Sequence, residues 1–121
     1  RLRSRGLGDV YKRQNKNIGG DYMDEDLIFQ VLAIVSEIPW GKVASYKQIA
    51  SLAGRPKNAR LVGKILSHAS MYGDYPCHRV VNSAGRLVPE WYEQRDLLLE
   101  EDVCFKDNGN VDMKKCKWQL D

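Results

Sequence analysis

The sequence predicts a mostly helical α+β domain with a small wing and a C-terminal hairpin. Apolar residues recur at helical spacing in several segments, and two turn signals are each flanked by short apolar runs. At 121 residues, the chain has the length of one domain. Since no run approaches about 18 apolar residues, a membrane-spanning helix is excluded.

The first predicted helix covers residues 24–38. Its apolar residues share one face, and they are Leu27, Val31, Ile34, Val35 and Ile38. The acidic residues at 24–26 favour a helix N-terminus, and Pro39 requires the helix to end close to Ile38.

Two shorter helices are predicted next, on either side of a turn. Ser45 and Gln48 fit a capping box, in which Ser45 caps the helix and the Gln48 side chain reaches back. Gly54 is suited to end this helix, and a second helix begins near Asn58. Two short helices across a turn of about four residues, with basic residues around the second, are typical of a helix-turn-helix motif. Many other helical hairpins share this pattern.

A wing and one more helix are predicted after this motif. Residues 80–81 and 87–88 are short apolar pairs on either side of a turn at 82–85, which predicts a small hairpin or wing. Pro89 can begin a helix that covers residues 89–102.

The C-terminal part of the chain carries a second hairpin signal. The turn sequence Asp-Asn-Gly at 107–109 lies between two short apolar stretches, residues 103–105 and 111–113. This arrangement predicts a terminal hairpin.

Basic residues are concentrated in the centre of the chain. The net charge of +3 divides into +7 for residues 38–89, −4 for each of the stretches 23–37 and 90–121, and +4 for residues 1–22. A basic centre between acidic flanks is expected for a protein that binds a polyanion. A solvated face with scattered lysines explains the charge equally well.

Residues 1–22 do not have the pattern of a signal peptide, because they lack an apolar core segment. The first methionine of the chain is Met23. We therefore interpret residues 1–22 as a non-native, disordered leader and residues 23–121 as the single domain. The alternative is a basic arm that adds non-specific affinity for DNA.

Cysteine usage indicates a reducing compartment. The three cysteines are few and odd in number, which argues against a disulfide scaffold. We therefore expect a cytoplasmic protein. No metal site is predicted, because the cysteines and histidines lack the paired spacing of zinc ligands. These residues are His68, Cys77, His78, Cys104 and Cys116.

Cys77 and His78 are adjacent, which is one pattern of a thiol nucleophile with its base. Neighbouring residues of an extended strand point to opposite faces. The two side chains would therefore need a turn or a bridging water to act together. From spacing alone, a buried structural cysteine is the favoured interpretation of Cys77.

Five segments of the chain carry a family signature. In chain order they are 38–43 (Ile-Pro-Trp-Gly-Lys-Val), Ser45-Tyr46 with Ile49-Ala50, 59–63 (Ala-Arg-Leu-Val-Gly), 76–81 (Pro-Cys-His-Arg-Val-Val) with Gly85, and 97–101 (Leu-Leu-Leu-Glu-Glu). With them, residues 25–103 resemble the DNA-binding, active-site domain of the 6-O-alkylguanine-DNA alkyltransferases. The resemblance implies a winged helix-turn-helix fold, in agreement with the elements predicted above.

The resemblance also implies a reaction without a cofactor, in which the protein accepts an alkyl group and is not regenerated. Cys77 matches the alkyl acceptor, and His78 matches the histidine that takes the thiol proton through a water. Glu101 matches the glutamate that orients this histidine, with Glu100 as the alternative if the alignment shifts by one residue. Tyr46 matches the tyrosine that donates a proton or a hydrogen bond to the departing guanine.

Proteins of this family flip the damaged guanine out of the duplex. Arg60 matches the arginine that fills the gap left by the base, and small residues beside it allow close approach to the minor groove. The implied DNA-contacting residues are Ser45, Ala59, Arg60, Gly63, Lys64 and Arg79. The implied base pocket consists of the Val80 carbonyl, Trp91 and Tyr92, where packing of both aromatic rings in the core is the alternative.

Three features depart from the alkyltransferase pattern. Ala69 replaces the asparagine that braces the active-site turn, and residues 86–92 replace a longer glycine-rich loop. Residues 109–113, followed by Lys117 and Trp118, resemble the tail of the alkyltransferase-like proteins. Those proteins share the fold but carry tryptophan at the acceptor position. They transfer nothing and mark damage for nucleotide excision repair.

Three hypotheses follow from these features. The first is a single-turnover methyltransferase that repairs double-stranded DNA containing alkylated guanine through Cys77. The second is a protein that recognises the same base without transfer and recruits nucleotide excision repair proteins. The third is a winged-helix DNA binder whose Cys77 is a buried relic. We expect a monomer with no membrane partner.

Overall fold

The computed structural model describes residues 25–120. Its elements, in chain order, are helix α1 (Glu25–Ser36), strand β1 (Ala44–Ser45), helices α2 (Tyr46–Leu52) and α3 (Ala59–Ser67), 3-10 helices at Ala69–Met71 and Cys77–Arg79, strand β2 (Val80–Val81), and helices α4 (Glu93–Glu100) and α5 (Met113–Cys116). The predicted α+β, mostly helical class is confirmed. The predicted leader, residues 1–22, lies outside the described residues.

Helix α1 ends two residues before the predicted end at residue 38, although it buries the predicted face. Its first turn is acidic, which suits the positive end of the helix dipole. The helix ends at Ser36, whose hydroxyl donates to the carbonyl of Leu32 at 3.0 Å. A tighter turn follows and leads into Pro39, which has no amide hydrogen with which to continue the helix.

Helices α2 and α3 form the predicted helix-turn-helix. The Ser45 hydroxyl accepts a hydrogen bond from the Gln48 backbone amide at 3.0 Å and caps α2, as predicted. The second half of the predicted capping box, in which the Gln48 side chain reaches back, is wrong. The Gln48 side chain donates instead to the carbonyl of Trp118 at 2.9 Å, because the C-terminal segment, residues 103–120, packs beside α2. Gly54, with φ +78°, reverses the chain after α2.

A two-stranded parallel sheet replaces the predicted wing hairpin. Strand β2 pairs with β1, with Ala44 opposite Val80. Residues 87–88, predicted as the second strand of the wing, form no strand. The turn after β2 forms as predicted, but it leads to Gly85, which packs directly on the C-terminal segment. A Cβ at Gly85 would lie 2.4 Å from the carbonyl oxygen of Val111.

The predicted C-terminal hairpin is reduced to one antiparallel bridge, between Phe105 and Val111. The strand stops there because the Asp112 side chain accepts a hydrogen bond from a backbone amide of α5 at 3.1 Å and caps that helix. Helix α4 begins at Glu93 rather than at the predicted Pro89, because the residues between them form turns.

Two apolar clusters hold these elements together. The larger buries the inner faces of α1, α2 and α3, and Cys77 packs against it. The smaller connects β2 and the residue before β1 to α4 and the C-terminal segment through Val43, Val81, Leu98, Val103, Val111 and Cys116. The Cys77–Arg79 turn therefore lies where the two clusters meet. No helix within residues 25–120 has both the length and the apolar character needed to cross a membrane.

Candidate functional site

The 3-10 turn at Cys77–Arg79 supplies the change of direction that the adjacent Cys77 and His78 need. The Arg79 amide donates to the carbonyl of Pro76 at 3.0 Å, which closes the turn. Cys77 packs against the larger apolar cluster, while the His78 ring reaches Glu101. Because β1 and β2 are parallel, this turn before β2 lies beside the residues that precede β1, and the turn after β2 lies beside the start of α2.

Glu101 is the centre of a buried hydrogen-bond network and is only 4% exposed. Its carboxylate accepts hydrogen bonds from His78 Nε2 at 2.7 Å, from Arg79 Nε at 2.9 Å and from the Gly41 backbone amide at 3.0 Å. Arg79 donates a further bond to Glu101 through Nη2 at 2.9 Å and one to the Ile38 carbonyl through Nη1 at 2.8 Å. These hydrogen bonds hold residues 38–41 and 78–79, which are distant in sequence, around the carboxylate of Glu101.

This network fixes the charge of Glu101 and the tautomer of His78. Burial by itself raises the pKa of Glu101, but hydrogen bonds from Arg79, Gly41 and His78 lower it to about 2. Glu101 is therefore an anion at neutral pH and only accepts, so the hydrogen lies on His78 Nε2. In the neutral form of the ring, Nδ1 then keeps the lone pair that a general base needs. Glu100, the alternative residue, is exposed.

Cys77 and Tyr46 are electrostatic neighbours in partly buried surroundings. Burial raises the pKa of the Cys77 thiol to about 11. Burial also raises the pKa of Tyr46, and the nearby Cys77 raises it further. At neutral pH both groups are protonated. The thiol must therefore lose a proton before it can attack, and the tyrosine has a proton to donate.

Two residues predicted to contact DNA have other partners in the fold. The Arg79 guanidinium turns inward, where it binds Glu101 and the Ile38 carbonyl and lies over the Trp40 ring at 5.7 Å. Ser45 is only 6% exposed, and its hydroxyl caps α2. Both side chains therefore position the site from within, and their contacts with DNA stay predictions.

Helix α3 presents the other residues that were predicted to contact DNA. Arg60 is exposed in the first turn, and Ala59 and Gly63 are half-buried on the same helix. A Cβ at Gly63 would lie 4.0 Å from Cε1 of Tyr46. The small residue therefore brings the α3 backbone close to the tyrosine ring. Lys64 is half-buried in the last turn.

A cavity of about 320 Å³ opens beside Tyr46, between α2, the start of α3 and the turn after β2. It is lined by Tyr46, Lys47, Pro56, Lys57, Ala59, Asn82 and Ser83. The three residues predicted to form the base pocket do not line it. Val80 is fully buried, Trp91 is half-buried, and Tyr92 is 83% exposed.

Gln94 is a site residue that the sequence prediction missed. Its fully buried side chain donates from Nε2 to the carbonyls of His78 and Val80, each at 3.1 Å, and accepts from the Val88 amide at 2.7 Å. It thereby ties the loop before α4 to the active-site turn. The available signal was a polar residue four positions before Leu98, on the buried face of the predicted helix. The Val80 carbonyl, predicted to accept from a guanine, already accepts from Gln94.

The chain matches known proteins over most of its length. The family model described as 6-O-methylguanine DNA methyltransferase, DNA binding domain, matches residues 27–103. The chain is 38% identical over 92 residues to the DNA base-flipping protein of Escherichia coli strain K12, which covers 74% of this chain and 71% of that protein. It is 42% identical over 79 residues to the human methylated-DNA–protein-cysteine methyltransferase, which covers 58% of this chain and 38% of that protein.

A solved structure with a similar fold holds damaged DNA. The crystal structure of Schizosaccharomyces pombe Atl1 in complex with DNA containing O6-carboxymethylguanine aligns with a TM-score of 0.71 at 31% identity. The alignment covers 81% of this chain and 99% of that one.

Proposed function

Because the chain belongs to the family of the 6-O-methylguanine DNA methyltransferase DNA-binding domain, we propose that it is a DNA repair protein that transfers an alkyl group from 6-O-alkylguanine to Cys77. Its substrate is double-stranded DNA. The observation that carries the proposal is the turn that joins Cys77 to His78, with Nε2 of His78 held 2.7 Å from Glu101. This is the order nucleophile, base and orienting carboxylate that an activated thiol requires.

In the recognition step, helix α3 lies against the minor groove. The small Ala59 and Gly63 let its backbone approach the duplex, and the exposed Arg60 fills the gap left by the extruded base. The flipped base then lies beside Tyr46, at the cavity that this residue lines. Affinity falls as salt rises, since the basic centre of the chain displaces counterions from the DNA.

In the transfer step, the thiol proton passes through a water to Nδ1 of His78. The Cys77 sulfur then attacks the alkyl carbon, and the bond between that carbon and guanine O6 breaks. The electron pair of the broken bond stays on the guanine, which takes a proton from Tyr46. A thioether remains on Cys77, and each protein molecule reacts once.

The buried thiol sets a requirement for this step. With a pKa of about 11, only about one Cys77 in ten thousand is a thiolate at pH 7. Productive transfer therefore depends on His78 removing the proton while the base is bound, and on Glu101 stabilising the resulting imidazolium.

A second candidate function is recognition of the damaged base without transfer, followed by recruitment of nucleotide excision repair. One observation favours it. The Val88 amide in the shortened loop already donates to Gln94 at 2.7 Å and is not free to donate to the alkylated oxygen.

Intact-mass measurement tests the transfer directly. The protein is mixed with an equimolar duplex containing O6-methylguanine, and the gain of one methyl group on Cys77 is the expected result. The Cys77→Ala variant should gain nothing and still bind the duplex, whereas the Cys104→Ala control should gain the methyl group. If the wild type gains no mass but keeps a preference for the alkylated duplex, transfer is excluded and the second function is supported.

A further inference from the structure

A second, larger cavity lies on the side of α2 away from α3, and the function proposed above does not use it. Its volume is about 530 Å³, and it opens between α2, the turn after β2 and residues 113–117 of the C-terminal segment. It is lined by Ser45, Lys47, Gln48, Ser51, Leu52, Ser83, Met113 and Lys117.

The lining of this cavity suits an anion. Its two charged residues, Lys47 and Lys117, are both basic and both exposed. The remaining polar residues are three serines and one glutamine, and none of the described residues that line the cavity carries a carboxylate. The hydroxyls of the exposed Ser51 and Ser83 and the two ammonium groups can donate hydrogen bonds to phosphate oxygens, so the site offers both charge and donors.

The C-terminal segment is fixed against the domain, which gives Lys117 a defined direction. The Val43 amide donates to the carbonyl of Cys116 at 2.9 Å, and the Trp118 amide donates to the carbonyl of Val43 at 2.7 Å. Cys116 and Trp118 are 5% and 8% exposed. Lys117, which follows the end of α5, is exposed between these two buried neighbours.

The two cavities form one groove. Lys47 and Ser83 line both of them, so the larger cavity continues from the smaller one that Tyr46 and Ala59 line. A duplex whose base enters beside Tyr46 has phosphates on both sides of that base. The larger cavity adjoins the one beside Tyr46, so it lies next to the point where that base would enter.

We propose that the larger cavity is a DNA phosphate site, in which Lys117 and Lys47 bind the backbone of the strand beyond the flipped base. This rests on the proposed function and extends the interface from the helix-turn-helix onto the C-terminal segment. The segment belongs to an acidic part of the chain, with a net charge of −4 over residues 90–121. Through Lys117, the acidic region 90–121 therefore gains a DNA contact that its net charge does not indicate.

Salt-dependent binding tests the site. Fluorescence anisotropy would give the Kd of the full chain for an undamaged duplex and for the same duplex with O6-methylguanine, over a range of salt concentrations. Lys117→Ala and Lys47→Ala should each raise the Kd for both duplexes by the same factor, about two- to fivefold. Each should also reduce the slope of log K against log salt by about 0.9. The preference for O6-methylguanine stays unchanged, because phosphate contacts do not read the base.

Lys114→Ala is the matched control, since Lys114 is an exposed lysine of the same segment that does not line the cavity. Its slope should stay close to that of the wild type, and Lys117→Arg should restore the wild-type slope. Equal slopes for Lys117→Ala and Lys114→Ala would overturn the proposal. If the wild type shows no preference for O6-methylguanine, the proposed function is contradicted, even where the salt slopes of the lysine variants change as expected.

Discussion

Arg79 and Arg60 lie in the same small domain and have opposite surroundings. Arg79 is largely buried, and its guanidinium binds Glu101 and the Ile38 carbonyl. Arg60 is exposed at the start of α3, beside a cavity rich in lysine. The interior charges hold reacting groups in place and contribute to the stability of the fold. The exposed charges are available to a polyanion and contribute little to stability.

The largest expected effect comes from removing the carboxylate at the centre of the interior region. Glu101→Ala leaves Arg79 without its anionic partner in a buried site, so the free energy of unfolding should fall by about 3–5 kcal/mol. Urea unfolding measures this loss. Glu100→Ala, at an exposed neighbouring position, should change the same quantity by less than about 0.5 kcal/mol.

The next effect concerns the neutral part of the interior network. Gln94→Leu removes the donor to His78 and Val80 and the acceptor for Val88, so the free energy of unfolding should fall by about 2–3 kcal/mol. The rate of methyl transfer per folded molecule should fall as well, because the active-site turn loses its tie to the loop. Gln119→Leu, at an exposed position, serves as the control. Equal unfolding free energies for the two variants would show that Gln94 does not support the turn.

The buried thiol gives a pH-dependent test of the same region. Because burial raises the pKa of Cys77 from 9.0 to about 11, alkylation of Cys77 by iodoacetamide at pH 8 should be about a hundredfold slower in the native protein than in urea. The folded protein binds this proton more tightly than the unfolded chain, so the free energy of unfolding also falls between pH 9 and 11. Peptide mass spectrometry would separate Cys77 from the exposed Cys104. A native rate that levels off near pH 9 would contradict the raised pKa.

The smallest effect on stability is expected in the exposed region. Arg60→Ala should leave the free energy of unfolding within about 0.5 kcal/mol of the wild type. It should nevertheless reduce base flipping, measured as the fluorescence gain of 2-aminopurine placed at the target position. Arg60→Lys should restore only part of the signal, because a lysine lacks the planar guanidinium that stacks between bases. An unchanged fluorescence gain in Arg60→Ala would show that Arg60 is not needed for base flipping.

Most of the fold was accessible from local sequence signals. Helical periodicity identified α1, and Ser45 and Gly54 marked the ends of α2, because caps and turns depend on residues a few positions apart. The strand pairing was not accessible in this way. Residues 80–81 carry the same apolar pair whether they pair with 87–88 or with β1, and packing against the C-terminal segment decides between the two.

The sequence by itself determined the family, through the order and spacing of its motifs, and it named Cys77, His78, Glu101 and Tyr46 as candidates for the chemistry. Only the tertiary structure decided which side chains support them. Arg79 turned inward to Glu101, Gln94 joined the loop to the active-site turn, and Lys117 came to lie across a groove from Lys47. The physical reason is distance along the chain. These contacts join residues far apart in sequence, and no local pattern records which polar group will meet which partner once the core is packed.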